Sequence, residues 1–277
     1  RVVSLVPSIT ESLFDLNVGQ RLVGVTDSCI YPQAGVAQLP RIGGTQNPDI
    51  ERILELRPDL VIANVDENRR EDVEKLRDAG LQVWATFPRT VAEAINLLWN
   101  LMQVFDEPAM VPRVRLIEQT LDWVAGISRE SEDHPTRVFA PIWLDPLMTF
   151  NGDTYSHDLL RVCGGLNVFS DHQRHSLSAD RSESEAHSPE HSEGLATRYP
   201  RITLEEVVTA QPDVILLPSK PLAFSDAHLP MFTTLDVPAA RTGRVHLVDG
   251  SLLTWPGTRL AYALNTIPAL LLSEARE

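Results

Sequence analysis

Residues 50–63, Ile-Glu-Arg-Ile-Leu-Glu-Leu-Arg-Pro-Asp-Leu-Val-Ile-Ala, recur 154 positions later as residues 204–217, Leu-Glu-Glu-Val-Val-Thr-Ala-Gln-Pro-Asp-Val-Ile-Leu-Leu. Each copy reads as a short amphipathic helix, a Pro-Asp turn that stops it, and a buried strand, because proline lacks the N–H that a helix interior needs. A period this long is not that of a solenoid, whose repeats run about 20–50 residues. It predicts two similar α/β lobes, one in each half of the chain. The length of 277 residues agrees, since roughly 150 residues per domain gives between one and two domains.

Short β-branched or apolar runs at 2–6, 22–26, 60–63, 82–85, 137–142, 214–217 and 245–248 alternate with helical patterns. That alternation is the mark of parallel sheets built from crossover units. Ser8 and Glu11 have the spacing of a capping box opening a helix after the first strand. Residues 107–129 carry no strand signal, and Val114, Ile117, Leu121 and Val124 fall on one helical face. A helix over that span is about 35 Å long, enough to join two lobes by a rigid strut. Pro108 and Pro112 suit its first turn, and Asp133-His134-Pro135 ends it. The expected architecture is therefore α/β: two similar lobes with mainly parallel sheets, joined by one long rigid α-helix, with a ligand cleft between them. The boundaries are 1–105 for the first lobe, 106–133 for the backbone helix and 134–277 for the second lobe.

Residues 172–194 interrupt the second lobe with six Ser, four His, four Glu and one Asp, a composition that cannot form a core. We expect an exposed insertion there. His172, His175, His187 and His191 are weak candidates for a loose divalent-cation site, against a plain solvated loop, because their spacing matches no compact metal motif. Cys29 and Cys163 fit neither a disulfide framework nor a C-x-x-C motif and read as two free thiols. The 24 basic and 38 acidic residues leave a formal charge of −14 with no concentrated basic patch, which argues against a nucleic-acid partner. No apolar run reaches the length of a membrane span, and the first residues read as a strand rather than a leader, so a leader is expected to be either removed or lacking.

The sequence holds no Walker A motif, no G-x-G-x-x-G after a strand, no H-E-x-x-H and no G-x-S-x-G, so nucleotide hydrolysis, dinucleotide redox, zincin and α/β-hydrolase chemistry lack a warrant. Polar and aromatic residues at predicted strand ends remain, where open α/β sheets bind ligands. In the first half these lie in residues 7–11, 27–32, 43–47, 64–68 and 87–89, and in the second in 143–148, 218–220 and 250–255.

The runs R-V-V-S-L-V-P-S-I-T-E, V-G-V-T-D-S-C-I-Y-P, G-G-T-Q-N-P-D-I-E-R-I-L-E-L-R-P-D-L-V-I-A and D-L-L-R-V-C-G-G-L-N-V-F, in that order, resemble the class III periplasmic solute-binding proteins. These are the receptors of ABC importers for cobalamin, haem and ferric siderophores, and the likeness covers nearly the whole chain outside the insertion. The resemblance implies a non-enzymatic substrate-binding component that needs no cofactor of its own, takes a metal-containing ligand between two lobes and delivers it to an ABC permease and its ATPase. It also implies a periplasmic or extracytoplasmic location, with or without a membrane anchor, and a monomer. A cytoplasmic metal-chelate or corrinoid-binding protein outside transport is the alternative, and an enzyme acting on a chelate through Asp27 or Arg89 is a third class.

In the cobalamin receptor of this family one Glu on each lobe pairs with Arg on the permease, and the matching residues here are Glu51 and Glu205, equivalent in the repeat. Each is also a first-turn Glu favoured by its helix dipole. The corrin-packing aromatic positions align with Ser28, Thr45 and Asn64, so the resemblance implies a more polar platform in the first lobe. The ligand-binding candidates are Asp27, Ser28, Cys29, Tyr31, Thr45, Asn47, Asn64 and Arg89, facing Trp143, Met148, Lys220 and Trp255. Cys29, Tyr31 and His157 are candidates for direct metal ligation.

Overall fold

The computed structural model describes residues 1–130, 135–172 and 197–272. The described residues fall into two compact units, one within Arg1–Thr120 and Trp255–Ala261, the other within Leu121–Thr254 and Tyr262–Glu277. All of the 172–194 insertion beyond His172, including His175, His187 and His191, lies outside the described residues.

The first unit is built on four parallel strands, β1 (Val2–Ser4), β2 (Leu22–Val25), β3 (Leu60–Asn64) and β4 (Val83–Thr86), in the order β2-β1-β3-β4. Central β1 and β3 are apolar on both faces because helices cover both, and Val3, Val61, Ile62 and Ala63 are completely buried. Helix α1 (Pro7–Asp15) follows β1 after two residues. Pro7 sits in its first turn and Val6 is the N-cap, with no side-chain cap. The capping box expected from Ser8 and Glu11 is therefore absent: both lie inside the helix, since proline supplies the start. After α2 (Gln33–Val36), the unit continues through α3 (Ile50–Glu55), α4 (Arg70–Asp78) and α5 (Val91–Phe105). Helix α5 buries the stripe Val91, Ala94, Ile95, Leu98, Leu101 and Met102, is capped by the Thr90 hydroxyl on the Glu93 N–H, and stops at left-handed Asp106.

Helix α6 (Val111–Glu130) has 20 residues, about 30 Å, and the division between the units falls inside it. It starts later than the spacing predicts because Pro108–Met110 form a 3₁₀ turn first. Val114, Ile117 and Val124 are buried as expected, whereas Leu121 is half-buried.

The second unit repeats the plan. Strands β5 (Thr136–Phe139), β8 (Gly165–Asn167), β9 (Val214–Pro218) and β10 (Val245–Val248) are parallel in the order β10-β9-β5-β8, so β8, β5, β9 and β10 correspond to β2, β1, β3 and β4. Strand β5 stops short of the expected residue 142 because Pro141 has no N–H to give the ladder. The chain then turns through an antiparallel ribbon, β6 (Trp143–Leu144) and β7 (Leu147–Met148), into α7 (Tyr155–Val162). Phe139, Phe169, Phe232, Ile215 and Leu217 anchor the core of this unit. Helix α8 (Leu204–Ala210) precedes β9, and α9 (Leu229–Thr233), α10 (Pro238–Arg241) and α11 (Ser251–Thr254) lead to the last helix, α12 (Leu260–Leu272).

The two copies of the repeat match in detail. Ile53 and Val207 are the fully buried residues of α3 and α8. Asp59 and Asp213 each accept a hydrogen bond from a main-chain nitrogen, the charged amino group of Arg1 at 2.8 Å and the amide of Arg137 at 2.9 Å. The side chains of Arg1 and Arg137 donate to the last carbonyls of α3 and α8, Leu56 and Arg57 in one case, Ala210 and Gln211 in the other. A cation placed there satisfies orphaned carbonyls and complements the helix dipole.

Candidate functional site

Parallel strands deliver their following loops to one edge of a sheet, and chain direction reverses there between β1 and β3 in the first unit and between β5 and β9 in the second. Such switch points are where open α/β sheets form ligand crevices. The segments selected from the sequence follow these carboxyl ends. Asn64 closes β3, Trp143 comes shortly after β5, and Lys220 follows β9.

The loop after β2 carries four of the candidates. Arg41 braces it, donating through Nη1 to the carbonyls of Thr26 and Cys29, each at 2.8 Å, and through Nη2 to Val36. Asp27 and Ser28 are exposed, and the Asp27 N–H donates to the Gly43 carbonyl. Cys29, expected at the ligand, is instead completely buried. Its sulfur lies 3.1 and 3.2 Å from the Thr10 and Thr26 hydroxyls, and burial raises its pKa against those hydrogen bonds. Enclosed beside those hydroxyls, the sulfur has no side open to solvent from which a ligand could reach it.

Asn64 is also absorbed into structure. Its side-chain oxygen accepts the N–H groups of Asp66 and Glu67, while its own N–H donates to Asn68 Oδ1. Asn68 in turn donates to the carbonyl of half-buried Thr45, which ties the 43–47 loop to the end of β3. Asn47 is exposed at that loop's end. Arg89 is exposed, its guanidinium 5.5 Å from the Phe87 ring.

Tyr31 and Trp255 meet. Their rings are 6.0 Å apart, edge to face, within the first unit, although the sequence reading placed Trp255 on the second lobe's side. The segment is held by Gly257, whose φ of 146° and close approach to Ser12 exclude a side chain, and by the Thr258 N–H donating to Ser12 Oγ at 3.1 Å. Beneath the rings Arg259 forks onto Glu11 at 2.9 and 2.6 Å, with both side chains almost buried. Sequence reasoning missed this pair, since no local spacing links residues 248 positions apart.

In the second unit Trp143 is 43% exposed, its indole N–H donating to the Asp145 carbonyl. Met148 pairs with it across the β6–β7 ribbon, so the two side chains share a face. Lys220 is half-buried where its backbone packs on Gly250. His157 is half-buried with Nδ1 lacking a hydrogen-bond partner, and burial lowers its pKa, favouring the neutral imidazole. His172 packs edge-on against Phe169 with Nε2 3.6 Å from Glu206. Among the described residues no three His, Cys, Asp or Glu gather as a metal site. Glu51 and Glu205 are both exposed and both the second residue of their helices, α3 and α8.

A profile described as periplasmic binding protein matches residues 2–249. A vitamin B12-binding protein of Vibrio parahaemolyticus is 26% identical over 265 residues, 95% of this chain and 86% of that one. Among solved structures, the periplasmic vitamin B12 binding protein of Vibrio cholerae superposes with a TM-score of 0.77 at 23% identity, covering 98% of this chain and 96% of its own. The periplasmic heme-binding protein of Roseiflexus sp. RS-1 gives 0.76 at 23% identity, covering 100% and 99%. At these identities the structural likeness speaks for the fold.

Proposed function

Because the chain belongs to the periplasmic binding protein family, we propose that it is the receptor of an ABC importer whose cargo is a metal chelate: haem, a corrinoid or a ferric siderophore. The family consists of non-enzymatic solute-binding components of ABC transporters. The observation that carries the reading is a pair of parallel sheets with the same strand order, each presenting an exposed aromatic ring beyond its carboxyl edge, Tyr31 in one and Trp143 in the other. Flat rings suit the face of a macrocycle or an aromatic chelator. Asp27, Asn47, Arg89 and Lys220 add hydrogen-bonding groups of both signs for its periphery. The permease docks on Glu51 and Glu205, and the protein works outside the cytoplasm.

Native mass spectrometry and absorbance of protein purified from its own host identify a retained chelate, and calorimetric titration with haemin, cyanocobalamin and a ferric siderophore panel measures its affinity. One-to-one binding at micromolar concentration or tighter is expected for one of these classes. No binding of any of them overturns the chelate reading.

A further inference from the structure

We propose that Arg259 is a positioning residue for the ligand site: clamped by Glu11, it sets the orientation of the Tyr31 ring from below. The inference rests on the reading of Tyr31 as a ligand-facing aromatic. Tyr31 stands in the loop after β2 and is 36% exposed. The guanidinium carbon of Arg259 lies 4.6 Å from the centre of that ring and 5.7 Å from the centre of Trp255. A cation over an aromatic face is attracted by the ring quadrupole, and the attraction strengthens away from water. Here the side chains of Arg259 and Glu11 are only 13% and 11% exposed.

The fork to Glu11 fixes the plane of the guanidinium, because two parallel N–H···O bonds leave it no rotation. Glu11 is itself fixed on α1, the helix that leaves β1 at the switch point. The chain of restraint thus runs from the central strand, through Glu11 and Arg259, to a ring on the neighbouring loop. Trp255 closes the cluster edge-on to Tyr31 and is 6% exposed. A lysine cannot take the place of Arg259, since an ammonium forms no planar fork and no stacked plate.

The test uses the full chain labelled with 3-fluorotyrosine. The chain has four tyrosines, and the Tyr31→Phe variant assigns the Tyr31 fluorine signal. Arg259→Lys, Arg259→Gln and Glu11→Gln are compared with wild type by fluorine NMR without ligand and by titration with haemin and with cyanocobalamin. Expected are a shifted and broadened Tyr31 signal in all three variants and affinity for the bound probe weakened about ten-fold. In a Tyr31→Leu background, Arg259→Gln should weaken binding no further, the result that separates positioning from general loss of stability. A lower melting temperature with an unmoved Tyr31 signal and unchanged affinity would overturn the proposal. Wild type that binds neither probe counts against the chelate reading instead, and the ligand-free Tyr31 signal then decides on its own whether Arg259 sets the ring. Should Arg259→Gln fail to fold, Glu11→Gln and Arg259→Lys carry the same two readouts.

Discussion

Arg57 and Gln211, equivalent residues of the two repeat copies, both hold left-handed backbone, with φ of 46° and 45°, immediately before a proline. Each ends its helix at the point where the chain must turn into the Pro-Asp step and the following strand. Left-handed backbone is unfavourable for residues with a Cβ, which is why glycine dominates such positions. Both halves of the chain thus accept the same local strain to reach the same geometry.

The two positions should respond differently to glycine. Arg57 is exposed, so Arg57→Gly relieves the strain and is expected to stabilise the protein by about 0.5–1 kcal/mol. The Gln211 amide donates to the carbonyls of Val208 and Asp236 at 2.7 and 2.8 Å, and Gln211→Gly loses both bonds. That loss, about 1 kcal/mol per bond, cancels or exceeds the relief. Urea unfolding of both variants checks this, and a clear gain in stability from Gln211→Gly would contradict it.

Neither cysteine should react in the folded protein. Cys29 and Cys163 are completely buried free thiols, and burial raises both, Cys163 to about 12. A thiol reagent at pH 8 is expected to label none of them before unfolding and both after it. Fast labelling of Cys29 in the native state would place it back on the ligand rim.

What was legible in the sequence is what repeats and what alternates. The helix, Pro-Asp turn and strand were readable twice because a few residues carry the whole signal, and β1, β2, β4 and β10 followed from short apolar runs. The β6–β7 ribbon was not, since strands of two residues have no period, and Gly165–Asn167 lacks the β-branched residues that announce a strand. At the site, rim positions such as Asp27, Tyr31 and Trp143 could be named because they follow strand ends. Whether a side chain turns outward could not: Cys29 turns into the core from a polar loop, and Asn64 uses its amide to hold its own turn. Glu11 and Arg259 were out of reach because only the folded chain brings them together.

Stability should fall as pH rises between about 4.5 and 7 through Glu67. Half-buried and next to Asp66, its carboxyl is pushed from 4.5 up to about 7, chiefly by loss of solvent. Between those values the folded chain keeps a proton that the unfolded chain has released, so raising the pH favours unfolding. Glu67→Gln removes this dependence. The difference in urea midpoint between pH 5 and pH 8 should shrink in the variant, and an unchanged difference would remove Glu67 from the account.

Charge reversal at Glu51 and Glu205 should uncouple delivery from binding. Both residues are exposed on the first turn of equivalent helices, and neither is one of the candidate ligand residues. Glu205 is held below the usual carboxylate range by its own backbone N–H and the Thr203 hydroxyl, so it carries its charge at neutral pH. Two like-placed carboxylates are what a pseudo-symmetric receptor offers to a two-fold permease, and arginine forks are their natural partners. With the cognate permease and ATPase in liposomes, Glu51→Arg with Glu205→Arg should abolish receptor-stimulated ATP hydrolysis, and each single change should weaken it. Affinity for the chelate should stay at the wild-type value, because neither carboxylate lies among the rim residues. Stimulation that survives the double reversal would show that the permease grips the receptor elsewhere, and lost chelate binding would show that the helices shape the ligand site as well.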